Sequence, residues 1–217
     1  MANDSTPEIT TRLLGPLAGK RVLELGCGTG ESAIEFARRG ATVIAVDESA
    51  AAIAAARAAA DLAEVRIEWH AGDLADLAFL RADSIDAAYS DGALARVPEL
   101  GRLFRQVHRV ERPGAPFVFT LPHPMALCVE ADPEPEGSLP LARPYLGRSY
   151  FDATPLDLTD KGAPIALHPH TVTDVFTGLG RAGYRVDTLL EPEPPRGSAG
   201  RALAPTTIVW RARKEGV

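Results

Sequence analysis

Residues 22–31 read VLELGCGTGE. A short apolar run of strand character passes through Gly26, Gly28 and Gly30 into a stretch suited to a helix. Glycines at such a turn let the chain reverse tightly and let a ligand approach the backbone. A dinucleotide fingerprint places its last glycine one residue later, for close packing of helix on strand. That position here is Glu31, so the pattern is GxGxG. Glu24, two residues before the first glycine, sets a carboxylate at the same edge, where it suits a cationic amine better than a pyrophosphate. A polar residue satisfied by backbone amides is the alternative for Glu24.

The segments around this loop repeat one alternation. Strands are expected at 21–25, 42–47 and 65–70, with alanine-rich helices at 30–39 and 48–61 between them and Gly40 as a stop. Such alternation predicts an α/β fold with a doubly wound sheet covered on both faces. A fourth strand at 84–89 is followed by a helix at 98–110, in which Leu100, Leu103, Phe104 and Val107 recur at helical spacing. A turn at Pro113-Gly114 leads to a fifth strand at 116–121, closed by Pro122. A helix at 171–182, a sixth strand at 184–190 and a seventh at 206–214 complete the chain.

Two stretches break the rhythm. From 122 to 170 the periodicity fades and prolines cluster, which predicts an insertion with few regular elements, serving as an acceptor wall or lid. Residues 192–205 have the composition of an exposed loop. Residues 1–20 read as a segment lying over the ligand, with Leu13, Leu14 and Leu17 supplying apolar contacts. All 217 residues are expected to form one domain.

The net charge of −6 gives a field that opposes nucleic acid and anionic membrane. Arg102, Arg105, Arg109 and Arg112 form a basic face without the interleaved aromatics that stack bases. Cys27 and Cys128 alone do not make a disulfide scaffold, and Ala50–Ala60 is too short and too interrupted to span a bilayer. A soluble, cytoplasmic protein is the expectation, with monomer and homodimer both open. No metal site is expected, because His123, His168 and His170 lack a fourth ligand and a fixed spacing.

Asp47 ends the second strand, where a parallel sheet delivers an acid to the hydroxyls of a ribose. An N-cap role is compatible with that one. Asp73 follows the third strand, placed to accept from an adenine amino group while Leu74 gives an apolar wall; a turn or cap is the plainer reading. Ser90 and Asp91 end the fourth strand at the same edge.

The ordered set LELGCGTG (23–30), VDES (46–49), AGDL (71–74), SIDAAYS (84–90) and RPGAPFVFTLPHP (112–124) resembles the S-adenosylmethionine-dependent class I methyltransferase family, in its small-molecule branch. The resemblance runs over nearly the whole chain. It implies strand order 3-2-1-4-5-7-6 with the seventh strand antiparallel, S-adenosylmethionine as cofactor, S-adenosylhomocysteine as product and a small-molecule methyl acceptor. It further implies that Glu24 reaches the methionine amino group and that Gly26, Gly28 and Gly30 line methionine and ribose. Asp47 would take the ribose hydroxyls beside Glu48 and Ser49, Asp73 and Leu74 would flank adenine, and Ser90 would sit near the methionine end. Many relatives carry two histidines before the valine where this chain has Ala95-Arg96-Val97, so its acceptor side departs from them.

Transfer from a sulfonium needs positioning and, for some acceptors, a base. His123, directly after the fifth strand, is the first candidate, followed by His170 and then His168. Tyr145, Tyr150 and Phe151 are placed to wall an acceptor or to pin the insertion to the core, and Tyr150 joins the two histidines as a catalytic candidate. Three other readings stand beside methyl transfer. They are a cofactor-binding regulatory or degenerate relative with a closed acceptor cavity, a tRNA or other nucleic-acid methyltransferase, and an NAD- or FAD-dependent oxidoreductase.

Overall fold

The structure is a computed structural model in which residues 6–130, 145–160, 163–193 and 205–216 are described. Seven strands form one sheet: β1 (Arg21–Leu25), β2 (Thr42–Asp47), β3 (Ile67–Ala71), β4 (Ala87–Ser90), β5 (Pro116–Pro122), β10 (Tyr184–Leu190) and β11 (Thr207–Lys214). Their order is β3-β2-β1-β4-β5-β11-β10. The first five are parallel, and β11 runs antiparallel to both its neighbours. This is the order and the antiparallel last strand that the resemblance implies.

The period-two alternation of strand side chains divides the core into two layers. Val22, Val43, Ala45, Tyr89 and Val118 point to one face, where they meet Phe36 of α2 (Glu31–Arg38) and Ile53 of α3 (Ala50–Leu62). Leu23, Leu25, Ile44, Val46, Phe117, Phe119 and Trp210 point to the other, against Leu103, Phe104 and Val107 of α4 (Leu100–Val110) and Val175 and Leu179 of α5 (Val172–Arg181). Glu24 therefore occupies a core-facing position of a central strand, and it needs a reason to be there.

Four expectations change. The fourth strand starts at Ala87 because Asp86 is otherwise engaged, its Oδ2 accepting from the Arg21 amide at 2.8 Å and its Oδ1 paired with Arg112. The 122–170 stretch holds two hairpins, β6 (Val129–Glu130) with β7 (Tyr145–Leu146) and β8 (Leu156–Asp160) with β9 (Ala163–Leu167). A helix over the N-terminal segment, α1 (Thr6–Leu14), was not foreseen. Leu14 and Leu17 are buried with Val22 and Val118, and Leu13 and Leu14 line a cavity with Lys20, Arg112 and Pro116 at the start of β1 and β5. These leucines therefore sit toward the start of β1 and β5, whereas Thr10, one turn earlier in α1, meets the Tyr89 hydroxyl at 3.5 Å beside the end of β4. The prolines at 133, 135, 140 and 144, the side chain of Tyr145 and most of the 192–205 loop lie outside the described residues.

Candidate functional site

The glycine loop joins β1 to α2, and its three glycines do different things. Gly26 has φ +75°, and a Cβ added there would lie 2.0 Å from the Ala93 Cβ. Ala93 opens a 3-10 turn, Ala93–Arg96, that follows β4 and packs on the loop. A Cβ at Gly30 would come within 3.0 Å of both Ala56 and Trp69. Gly28, at φ +52°, faces open space, with nothing within 4 Å of an added Cβ. Of the three, Gly28 is the one that leaves the backbone open to a ligand, whereas Gly26 and Gly30 serve close packing.

Asp47 ties the loop to β2. Its Oδ2 accepts from the Gly28 amide at 2.8 Å and its Oδ1 from the Ser49 amide at 2.9 Å. Each carboxylate oxygen keeps a second lone pair, so Asp47 can shape the loop and still accept from a ligand. Ser49, not Asp47, is the N-cap of α3, accepting from the Ala52 amide, and Glu48 is exposed beside it.

Glu24 is 4% exposed, and its Oε2 finds no hydrogen-bond partner among the described residues. Burial, followed by the charges of Asp91 and Asp47, pushes its pKa up to about 8. An unpartnered buried carboxyl among further carboxylates is a site for a cation. It also makes stability depend on pH, because the unfolded chain ionises near 4.5 while the folded chain holds the proton until about 8. The unfolded state binds fewer protons in that window, so stability falls as pH rises through it. Glu111, buried and bonded to Tyr184, acts in the same window. Glu24→Gln is expected to remove Glu24's share, read as a smaller loss of unfolding free energy in urea between about pH 5 and about pH 8. An unchanged loss would contradict the buried acid.

The other strand ends are less open. Asp73 lies beyond β3, its Oδ1 accepting from Ala75 at 2.8 Å and its Oδ2 3.2 Å from Arg102, while Leu74 is fully buried. Ser90 is fully buried and donates its hydroxyl to the Leu25 carbonyl at 2.7 Å, so its side-chain donor is spent inside the sheet.

A cavity of about 370 Å³ lies to one side, under the insertion. Its walls include Leu127, Cys128, Tyr150, Phe151, His170 and Thr171. Arg148 donates to the carbonyls of Asp152 and Thr154, which pins the aromatic segment in place. The cavity hangs on the same 3-10 turn that packs on Gly26. The His168 amide donates to the Ala95 carbonyl at 2.7 Å, and His170 Nε2 donates to the Val97 carbonyl at 3.1 Å. Because a carbonyl only accepts, that bond fixes the proton on Nε2 and leaves the Nδ1 lone pair free. Burial holds the His170 pKa below its ordinary value.

His123 differs. Its Nδ1 accepts from the Met125 amide at 3.1 Å and its Nε2 faces Glu191 at 2.8 Å, so both nitrogens are engaged. It is 5% exposed and is not among the cavity walls, although Pro124 is. The structure thus gathers His170, Tyr150 and Phe151 at the cavity and leaves His123 apart. Glu191 carries no signal in the sequence, and Arg96 is marked there only by the departure at Ala95-Arg96-Val97.

Residues 22–114 match the methyltransferase domain family. The magnesium-protoporphyrin O-methyltransferase of Rhodobacter capsulatus is 37% identical over 119 residues, 51% of this chain and 49% of that protein. The ubiquinone biosynthesis O-methyltransferase of Hahella chejuensis is 34% identical over 104 residues, 48% and 44% of the two chains. This chain thus spans about half the length of the curated relatives it matches. The crystal structure of an S-adenosylmethionine dependent methyltransferase from Mesorhizobium loti superposes with a TM-score of 0.80 at 29% identity, over 94% of this chain and 95% of that one. Sequence likeness is concentrated in the glycine-loop half, where residues 22–114 match a methyltransferase domain, and structural likeness extends over 94% of the chain, which shares the fold of an S-adenosylmethionine dependent methyltransferase.

Proposed function

We propose that this chain binds S-adenosylmethionine at the strand ends around the glycine loop and transfers its methyl group to a small-molecule acceptor held in the 370 Å³ cavity. The observation that carries this reading is the open oxygen of buried Glu24, in a cradle where Asp47 and Asp91 add negative charge. These residues fit a ligand that carries an ammonium and a sulfonium, and they fit a pyrophosphate poorly.

Glu24 holds the ammonium and gives up its proton in doing so. Asp47 accepts from the ribose hydroxyls with the lone pairs its loop bonds leave over. Gly28 admits the ligand to the backbone, flanked by Gly26 and Gly30, with Glu48 and Ser49 beside the ribose. Asp73 and Leu74 border the adenine, and Ser90 contributes its backbone near the methionine end. When bound, the cofactor supplies an electrophilic methyl group on a positively charged sulfur.

The acceptor side needs orientation and a place for a proton. Tyr150 and Phe151 give an apolar aromatic wall. His170, kept neutral by burial and oriented by the Val97 carbonyl, takes the acceptor's proton at Nδ1. Tyr150 is itself oriented, its hydroxyl accepting from the Val172 amide at 3.3 Å. His123, with both nitrogens engaged, positions the chain after β5 rather than acting as a base. The presence of a cavity supports an enzyme over a regulatory relative with a closed acceptor site. A cytoplasmic location belongs to the same reading, supported by Cys27 and Cys128 both being free thiols.

Incubation with methyl-labelled S-adenosylmethionine and a panel of small phenols, enols and carboxylic acids tests the activity. Label is expected to move to an acceptor of the panel. With an acceptor that must lose a proton, His170→Ala is expected to lower kcat about a hundredfold while cofactor affinity holds. An unchanged kcat would rule out the base, and failure of every acceptor to take label would count against the activity.

A further inference from the structure

Arg96 ends the 3-10 turn that packs on the glycine loop, and its surroundings are unusual. A guanidinium carries five N–H donors. Among the described residues, none of those of Arg96 makes a hydrogen bond, and Nε is buried without a partner. The side chain is 32% exposed, and its nearest charge is Asp47, with Nη2 4.0 Å from Oδ2. That separation is too long for a hydrogen bond. The same Nη2 lies 3.6 Å from where a Cβ on Gly26 would be, so the guanidinium reaches over the first glycine of the loop. A buried charged donor left unsatisfied is costly unless something arrives to accept from it.

The position says what would arrive. Glu24 and Gly26 mark the methionine end of the cradle in the reading proposed above, on which this inference rests. An α-amino acid presents an ammonium and a carboxylate on one carbon. Glu24 offers an open acceptor to the first. From Val22 to Gly30, the rest of β1 and the glycine loop, no side chain is a cation, and Arg96 brings one from the neighbouring turn. We infer that Arg96 receives the α-carboxylate of the cofactor's methionine portion, so that Glu24 and Arg96 together read its zwitterion. The fork of a guanidinium matches a carboxylate through two parallel hydrogen bonds, which a lysine cannot reproduce. The departure at Ala95-Arg96-Val97 then belongs to cofactor recognition, not to the acceptor side.

Binding of S-adenosylhomocysteine, S-adenosylmethionine and decarboxylated S-adenosylmethionine to the whole protein, measured by calorimetry, tests the assignment without requiring turnover. Wild-type protein should bind the two carboxylated nucleosides more tightly than the decarboxylated one. Arg96→Gln should weaken both carboxylated ligands about tenfold or more and leave the decarboxylated one within about twofold, with Arg96→Lys in between. Equal loss for all three ligands would show a structural role and overturn the inference. No loss, or tighter binding, would show that Arg96 only covers Asp47, and would overturn it too. Failure of the cofactor reading looks different, since wild-type protein would then bind none of the three. Circular dichroism of Arg96→Gln separates lost binding from lost fold.

Discussion

Asp47→Ala is expected to weaken S-adenosylhomocysteine binding about a hundredfold, corresponding to loss of two hydrogen bonds to a charged acceptor at about 1.5 kcal/mol each. The effect should be large because one carboxylate does two jobs. It holds the Gly28 and Ser49 amides at 2.8 and 2.9 Å, which sets the shape of the loop, and in the proposed function its remaining lone pairs take the ribose hydroxyls. Asp47→Asn keeps one oxygen and removes the charge, so it should fall between wild type and Asp47→Ala. Equilibrium titration of the three proteins checks the order. Wild-type affinity in Asp47→Ala would mean that the ribose is held elsewhere.

The second large effect concerns the loop glycines and distinguishes packing from ligand access. At Gly26 an alanine would take on a left-handed conformation at about 1–2 kcal/mol and would drive its Cβ to 2.0 Å from Ala93, with about 1–3 kcal/mol more for overpacking. Gly26→Ala is thus expected to lose about 2–5 kcal/mol of stability. Gly28→Ala carries only the conformational cost, about 1–2 kcal/mol, because nothing lies within 4 Å, yet it intrudes on the open side of the loop. Urea unfolding should rank Gly26→Ala well below Gly28→Ala in stability. Ligand binding by the folded fraction should show Gly28→Ala impaired more than its stability explains. Equal unfolding midpoints would remove the 3-10 turn from its place against Gly26.

Much of this was legible in the sequence, and the reasons are local. The β-branched runs at 42–47 and 116–121 and the leucines of 100–107 carry the sheet and α4 through period alone. Glu24 could be singled out because it stands two residues before the first glycine, where a carboxylate suits a cationic amine better than a pyrophosphate. The antiparallel last strand came from family likeness, not from period. The expected start of β4 is too early because Ser84, Ile85 and Asp86 continue a polar and apolar alternation while Asp86 spends its carboxylate on the Arg21 amide and Arg112. The two hairpins of the insertion were hidden by prolines, which mark turns and edges without excluding short strands. His123 and His170 could not be ranked from sequence, since what separates them is the partner of each nitrogen. Those partners, Met125 and Glu191 for one and Val97 for the other, include residues 68 and 73 positions away. Arg96 stood out only as a departure, and its meaning came from its approach to Gly26 and Asp47.

The most direct test of the central claim is calorimetric titration of the wild-type protein with S-adenosylmethionine and S-adenosylhomocysteine, with NAD as the comparison. Saturable binding of both sulfur nucleosides at one site per chain, with none for NAD, is the expected result. Folded protein that binds neither nucleoside, or that binds NAD as well as it binds them, would contradict the cofactor assignment.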